Sequence, residues 1–450
     1  MNPRALLINP WIYDFAAFDL WAKPMGLLLI SSWLKKIGFD TRLVDCLDRL
    51  HPRSGAPAPK ARNAPGTGPW ARTPLPTPAP FEGIPRRFCR YGLPEEEFLR
   101  EVSASPEPDL ILIGSMMTYW YPGARRAAAL ARKAWPRKPL ALGGIYPSLC
   151  PDHAGRTPDV DFVVSGPAEF SLPAVLEQAL GRAGEPLAPP LEFLSQGLRP
   201  DLDLYPKIDF APLMTSRGCP QGCPYCASRR LFPGFVRRPP EDVLDEIGER
   251  LTNRGIRHFT LFDDALLLKP EQGIIPLLEG VLQKGLDINF HVPNGLHVGS
   301  ITPELARLMF RAGFKTIRLG LETLDPDRQA EWGGKVGDGE FFQAMANLVD
   351  AGFEPGRIGV YLLYGLPGQP LEEVLKTAAA VKALGGRPYP AEYSPLPQTG
   401  LWEQALRASP FDLAGEPLYQ NNSIFPCRGK DFSWGKVWDI KRKIRDFSNI

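Results

Sequence analysis

Cysteine is sparse, 7 in 450 residues, so the chain is not a disulfide-built scaffold and its thiols fit a reducing compartment. No stretch reaches the roughly 18 uninterrupted apolar residues that a membrane-crossing helix needs. Residues 26–33 come nearest and stop short. Neither sign of charge is in excess: 52 basic against 50 acidic residues leave a net +2, which excludes a global field that recruits nucleic acid or an anionic membrane. The opening apolar run meets Asn9 and Pro10 where a signal peptide would continue, so secretion is not expected. These absences predict a cytoplasmic protein with no membrane span and no nucleic-acid partner.

What is present is ordinary globular material, 44% hydrophobic and 23% charged, long enough for two or three compact units. Residues 5–9, 41–45, 109–114, 140–143 and 160–165 read as short buried strands, with helical patterns at 24–37 and 123–135. That alternation predicts an α/β, doubly wound, Rossmann-like domain over residues 1–180, whose ligand lies at the carboxyl ends of its strands. Residues 51–90 are crowded with Pro, Ala, Gly and Arg and read as a flexible insertion, and residues 181–209 as a linker. Six further strands follow at 212–216, 258–262, 288–292, 316–320, 356–363 and 390–394, separated by helical patterns. They predict a partial (β/α)6 barrel over 210–396 with its chemistry at the carboxyl ends of the strands, then an α-rich tail over 397–450.

The first barrel strand runs directly into Cys219-Pro-Gln-Gly-Cys223-Pro-Tyr-Cys226. Three thiolates suit a four-iron cube with one iron left open. A structural zinc site wants four ligands, and no second Cys/His pair lies nearby. The C-x3-C-x2-C spacing, with an aromatic before the last cysteine, resembles the signature of the radical S-adenosylmethionine (SAM) superfamily. The resemblance implies a [4Fe–4S] cluster on Cys219, Cys223 and Cys226, whose open iron chelates SAM and whose electron cleaves it to methionine and a 5′-deoxyadenosyl radical. It also implies an electron donor such as a flavodoxin or ferredoxin.

Later strands end in polar or Gly-rich segments that resemble matching places in such barrels. Asp263, Asp264, Asn294 and Glu322, with the Gly365-Leu366-Pro367 bend, are the expected SAM-binding residues. The carboxylates suit a ribose diol or an ammonium, and the bend suits adenine. Helix capping and ordinary turns are the plainer explanations for the same residues. His297 and Tyr364 are weak catalytic candidates.

A doubly wound domain ahead of this barrel resembles the cobalamin (B12)-binding subgroup, which implies a corrin held by Ser115, Met116, Met117, Thr118, Gly143 and Gly144. No Asp-x-His-x-x-Gly occurs, and the loop after the first strand offers Asp14 and Asp19 but no histidine, so a histidine beneath the corrin is disfavoured. His153 is a poorer candidate. Cys46, Cys89 and Cys150 could meet as a second cluster, as in methylthiotransferases, or be buried free thiols. The expected activity is methylation or related modification of an unactivated carbon in a small-molecule or peptide substrate. The alternatives are a radical SAM enzyme without cobalamin, a methylthiotransferase and a non-catalytic iron–sulfur sensor.

Overall fold

The computed structural model describes residues 2–58, 65–181, 198–332, 334–337 and 339–448. The chain divides into two compact units, Met1–Pro212 with Leu413–Ile424, and Leu213–Asp412 with Phe425–Ile450.

In the first unit, β1 (Arg4–Asn9), β2 (Asp40–Asp45), β3 (Leu110–Ile113), β4 (Leu140–Leu142) and β5 (Phe162–Val163) form a parallel sheet in the order β5-β4-β3-β1-β2. Leu6 to Ile8 and Leu110 to Ile113 are buried along their whole length, which is why these strands read as continuous apolar runs rather than alternations. Strand β1 lies between β2 and β3, so the order reverses there and the loops after β1 and β3 flank the crevice where such sheets take ligands. The helix Tyr121–Ala134 buries small residues, Ala124, Ala127, Ala128 and Ala131 among them. A Cβ on its Gly123 would stand 2.0 Å from the Trp11 carbonyl oxygen, so only glycine permits that approach.

The described parts of the insertion are folded, contrary to the expected flexibility. Arg72–Pro74, Cys89–Tyr91 and Ile12–Asp14 make a three-stranded antiparallel ribbon, and Thr67–Gly68 pairs with Asp19–Leu20. Aromatic anchors hold it: the rings of Phe81 and Phe88 lie 4.9 and 5.4 Å from that of Phe15. Such short ribbons need no sequence periodicity. Of the expected linker, 182–197 lie outside the described residues. The rest is bound into the first unit, where Ser31 Oγ donates to Asp201 at 2.6 Å and Tyr205 Oη donates to Asp45 at 2.6 Å. The expected single tail is also divided, since Leu413–Ile424 belongs to the first unit and the segment from Phe425 to the second.

The barrel sheet runs in chain order: β6 (Ala211–Leu213), β7 (His258–Leu261), β8 (Asn289–His291), β9 (Phe314–Glu322), β10 (Ile358–Tyr364) and β11 (Arg387–Glu392). The pairs from β7 to β11 are parallel. Helices Pro240–Arg254, Ile274–Gln283, Pro303–Arg311, Glu340–Asp350 and Leu371–Ala383 alternate with them. Their ends follow the local chemistry. Thr302 caps one helix by accepting from Leu305 N at 3.2 Å, and Gly255 ends another at φ +64°. The polar strand ends thereby gather at one mouth.

Candidate active site

The cysteine loop is clamped before it is decorated. Ser216–Arg217 pairs antiparallel with Val236–Arg237, closing the stems of the segment that carries the three cysteines. Gly218, at φ +86°, has no room for a side chain, because a Cβ would meet the Gly234 carbonyl oxygen at 2.2 Å. Beneath this clamp lies Asp263, 3% exposed, whose carboxylate accepts from Thr215 N at 3.2 Å, Thr215 Oγ1 at 2.7 Å, Ser216 N at 2.5 Å and Ser216 Oγ at 2.6 Å. Arg238 braces the same stem, donating to the Met214 carbonyl at 3.1 Å and to buried Glu246 at 2.7 Å.

Cys219, Cys223 and Cys226 line one cavity of about 450 Å³ together with Asp263, Asp264, Asn294, His297 and Glu322. Burial pushes the thiols of Cys219 and Cys223 above their ordinary range, and at Cys223 the nearby ammonium of Lys335 opposes the shift. Ser228 N donates to Cys226 Sγ at 3.5 Å while its hydroxyl donates to Asp264 Oδ1 at 3.1 Å. Asn294 is fixed by donating to the carbonyls of Phe262 at 3.3 Å and Asp263 at 3.1 Å, and among the described residues its side-chain oxygen receives no hydrogen bond.

Glu322 ends β9 at φ +69°, a left-handed conformation that a non-glycine residue holds at a cost of order 1–3 kcal/mol, and the strand register slips just before it. The distortion turns its carboxylate to Lys335 Nζ, 2.9 Å away. Lys335 also donates to Tyr225 Oη at 3.3 Å. Burial lowers the ammonium's pKa, but Glu322 and the thiols outweigh it, so the net shift is upward. Gly320 leaves the space, since a Cβ there would stand 3.0 Å from Lys335 Nζ.

Other expected residues lie elsewhere. Gly365, Leu366, Pro367 and Tyr364 are not among those lining this cavity. Gly365 N and Leu366 N donate to Gln369 Oε1 at 2.9 and 3.3 Å, making the bend a helix-leading turn. Tyr364 is 1% exposed and packs edge-on against Phe425, with ring centres 5.0 Å apart. His297 lines the cavity, but its Nδ1 is buried without a hydrogen-bond partner and burial lowers its pKa.

In the first unit the loops after β3 and β4 are joined. Ser115 Oγ donates to the Gly143 carbonyl at 2.8 Å, and Ile145 N donates to the Ser115 carbonyl at 2.9 Å. Gly144, at φ +104°, would put a Cβ 2.2 Å from that same carbonyl oxygen. Met116 is 38% exposed and Met117 half-buried, whereas Thr118 is fully buried with its hydroxyl unpartnered. Cys46, Cys89 and Cys150 do not gather. Cys89 packs with Ile12, Leu47, Trp70 and Tyr91, while Cys150 Sγ lies 3.9 Å from Gln420 Oε1. Among the described residues, no group of three or more His, Cys, Asp or Glu, the triad of Cys219, Cys223 and Cys226 included, is placed to hold a single metal ion, so what the triad can take is a larger, multi-iron group.

Residues 213–381 match the family model of the Radical SAM superfamily, and residues 85–176 that of the B12 binding domain. The chain carries a radical SAM domain and a B12-binding domain. An uncharacterized methyltransferase of Pyrococcus horikoshii is 26% identical over 333 residues, 67% of this chain and 70% of that one. The bacteriochlorophyllide d C-12(1)-methyltransferase of Chlorobaculum tepidum is 33% identical over 121 residues, which span 26% of this chain and only 25% of that relative. The structure of the radical SAM methyltransferase TsrM from Kitasatospora setae shares the fold, with a TM-score of 0.64 at 18% identity, over 91% of this chain and 77% of that one.

This radical SAM chain is therefore an enzyme rather than a bare cluster holder, and its two domains imply a [4Fe–4S] cluster, SAM and cobalamin. Its residues fit them. Three thiols lining one cavity, with the half-buried ammonium of Lys335 beside them, suit an anionic multi-iron cluster better than a single ion. The edge after β4 and β5 carries Gly143, Gly144 and Gly166, so no side chain at those three positions stands between the backbone and a flat ligand. Lys335 is the residue that sequence reasoning missed. It sits in a loop without periodicity, and the only available signal was a basic residue soon after the Glu322 strand end.

Among the described residues, no helix is long and apolar enough to cross a membrane.

Proposed function

We propose that this radical SAM enzyme is a cobalamin-dependent methyltransferase that acts on a small molecule, works in the cytoplasm and takes its electrons from a flavodoxin- or ferredoxin-like donor. The observation that carries the reading is the single cavity shared by the cysteine triad and the Glu322–Lys335 pair. When bound, the cluster supplies the electron that cleaves SAM and cobalamin carries the methyl group.

Cys219, Cys223 and Cys226 hold the cluster. Glu322 and Lys335, of opposite sign and 2.9 Å apart, complement the ammonium and carboxylate of SAM's amino-acid end or the ribose hydroxyls beside it. Asp264 and the free oxygen of Asn294 accept from the sugar. Leu266, Val292 and Leu296 line the same cavity and give adenine an apolar wall, the role first expected of Gly365, Leu366 and Pro367. Asp263 positions the cysteine loop, because its oxygens are taken by Thr215 and Ser216. The first unit's loops, Ser115 to Thr118 and Gly143-Gly144, hold the corrin.

Anaerobic reconstitution with iron, sulfide and hydroxocobalamin, followed by corrin quantification and a SAM cleavage assay, tests the proposal. Stoichiometric corrin with formation of S-adenosylhomocysteine and 5′-deoxyadenosine supports it. 5′-Deoxyadenosine without bound corrin removes cobalamin from the reading, and an intact cluster that never cleaves SAM removes the activity.

A further inference from the structure

The first unit's crevice differs from a ligand edge that offers cobalt a strong donor, because each hard donor around it is already engaged or, at Thr118, fully buried. Asp14, 2% exposed, accepts from Phe15 N at 2.6 Å, Trp120 Nε1 at 2.8 Å and Asn421 Nδ2 at 3.0 Å. Asp19 accepts from Ala22 N at 2.7 Å and from Arg49 Nε at 3.0 Å. The ring of His153 is hydrogen-bonded to Tyr146 Oη at 2.7 Å and stands edge-on to Tyr121 at 4.7 Å. Ser115 Oγ is spent on the Gly143 carbonyl, Ser148 Oγ donates to the Gly144 carbonyl at 2.7 Å while accepting from Gly166 N at 2.8 Å, and Thr118 is fully buried.

What remains on the loop after β3, at the point where strand order reverses, is a pair of thioethers, exposed at Met116 and half-buried at Met117, so Met116 is the more accessible of the two. Its neighbour Ser115 is pinned through both carbonyl and hydroxyl, and Gly144 cannot carry a side chain that would displace that carbonyl. The loop therefore holds a fixed path while Met116 stands out from it.

We propose that Met116 is the side chain beneath the cobalt of the bound corrin, a soft and weakly coordinating floor in place of a histidine. The inference rests on the cobalamin-dependent reading and deepens it. A thioether binds cobalt far less firmly than imidazole, so the metal keeps no strong lower ligand. That state suits repeated methyl loading and loss, because no bond beneath the cobalt must break at each turn.

A gain of signal tests it. The full-length Met116→His variant, loaded with cobalamin and reduced by one electron, is expected to show nitrogen superhyperfine splitting in its electron paramagnetic resonance spectrum. The pattern should change from triplet to doublet when the histidine carries the heavy nitrogen isotope. That label sensitivity separates the new imidazole from the cobalamin's own benzimidazole. Met117→His should show no label-sensitive splitting. Should Met116→His fail to take up corrin, Met116→Cys provides a second route through the shifted absorption of thiolate-ligated cobalt(III). Stoichiometric corrin with no label-sensitive splitting at 116, or with splitting at 117 instead, overturns the assignment while leaving cobalamin dependence intact. Absence of corrin from the wild-type chain overturns both.

Discussion

Replacing Asp263 with alanine separates positioning from ligand binding. The carboxylate holds four donors, two of them the backbone N–H groups of Thr215 and Ser216, three residues before Cys219 at the nearer one. In Asp263→Ala the two hydroxyls can turn to other acceptors, but the buried N–H groups have none, and each unsatisfied group costs about 1–3 kcal/mol. Relief of the buried charge, whose pKa burial raises, recovers part of this, so the loop should lose about 2–4 kcal/mol of local stability. The assay is iron and sulfide per chain after anaerobic reconstitution, alongside urea unfolding. Cluster content should fall severalfold and the unfolding midpoint should drop, while Asp263→Asn, which keeps one acceptor, falls between. Full cluster loading and an unchanged midpoint, together with lost SAM binding, would refute the positioning role and return Asp263 to the ligand set.

Lys335→Met should weaken SAM binding at least tenfold, about 1.4 kcal/mol, with the cluster still loaded, as read by equilibrium binding of SAM to reconstituted protein. Glu322→Gly removes the left-handed strain at φ +69° but also the carboxylate, so SAM affinity should fall more than thermal stability does; the reverse ranking would show that Glu322 serves folding. Changing Cys219, Cys223 and Cys226 together to alanine should abolish the sulfur-to-iron charge-transfer absorption while far-ultraviolet circular dichroism persists. His291 is pulled down to about 3 by burial first, then by His258 and Lys315, against an ordinary 6.5. The unfolded chain therefore takes up that proton first as pH falls, and stability present above about 6.5 should decline by at most about 1.4 kcal/mol per pH unit below it. Denaturation midpoints in His291→Gln should lose that slope.

The parts of the fold that were legible were the ones written locally. Each barrel strand lies within a few residues of its expected place, because a buried parallel strand declares itself as an apolar run and its helix by the opposite period. The cysteine triad was legible for the same reason, since its ligands fall within eight residues of one another. The folded insertion was not, because Trp70, Phe81 and Phe88 gain their structure from distant partners such as Leu47 and Phe15. The roles of individual acids were not legible either. Asp263 and Asp264 are neighbours, yet one is consumed by Thr215 and Ser216 while the other lies exposed beside Ser228.

That contrast bears on how such sites should be read. A carboxylate at a strand end can serve as ligand, cap or brace, and sequence context favours all three equally. The structure decides by counting unspent lone pairs. Asp14, Asp19 and Asp263 have theirs engaged by neighbouring donors, which makes them braces of the two ligand-facing edges. Glu322 differs in kind: its backbone is held in a costly conformation, and its one strong partner, Lys335, lies in the cavity itself. A strained residue persists where surrounding contacts over-determine it, and strain that turns a charge into a cavity shared with three thiols is better explained by a ligand than by folding.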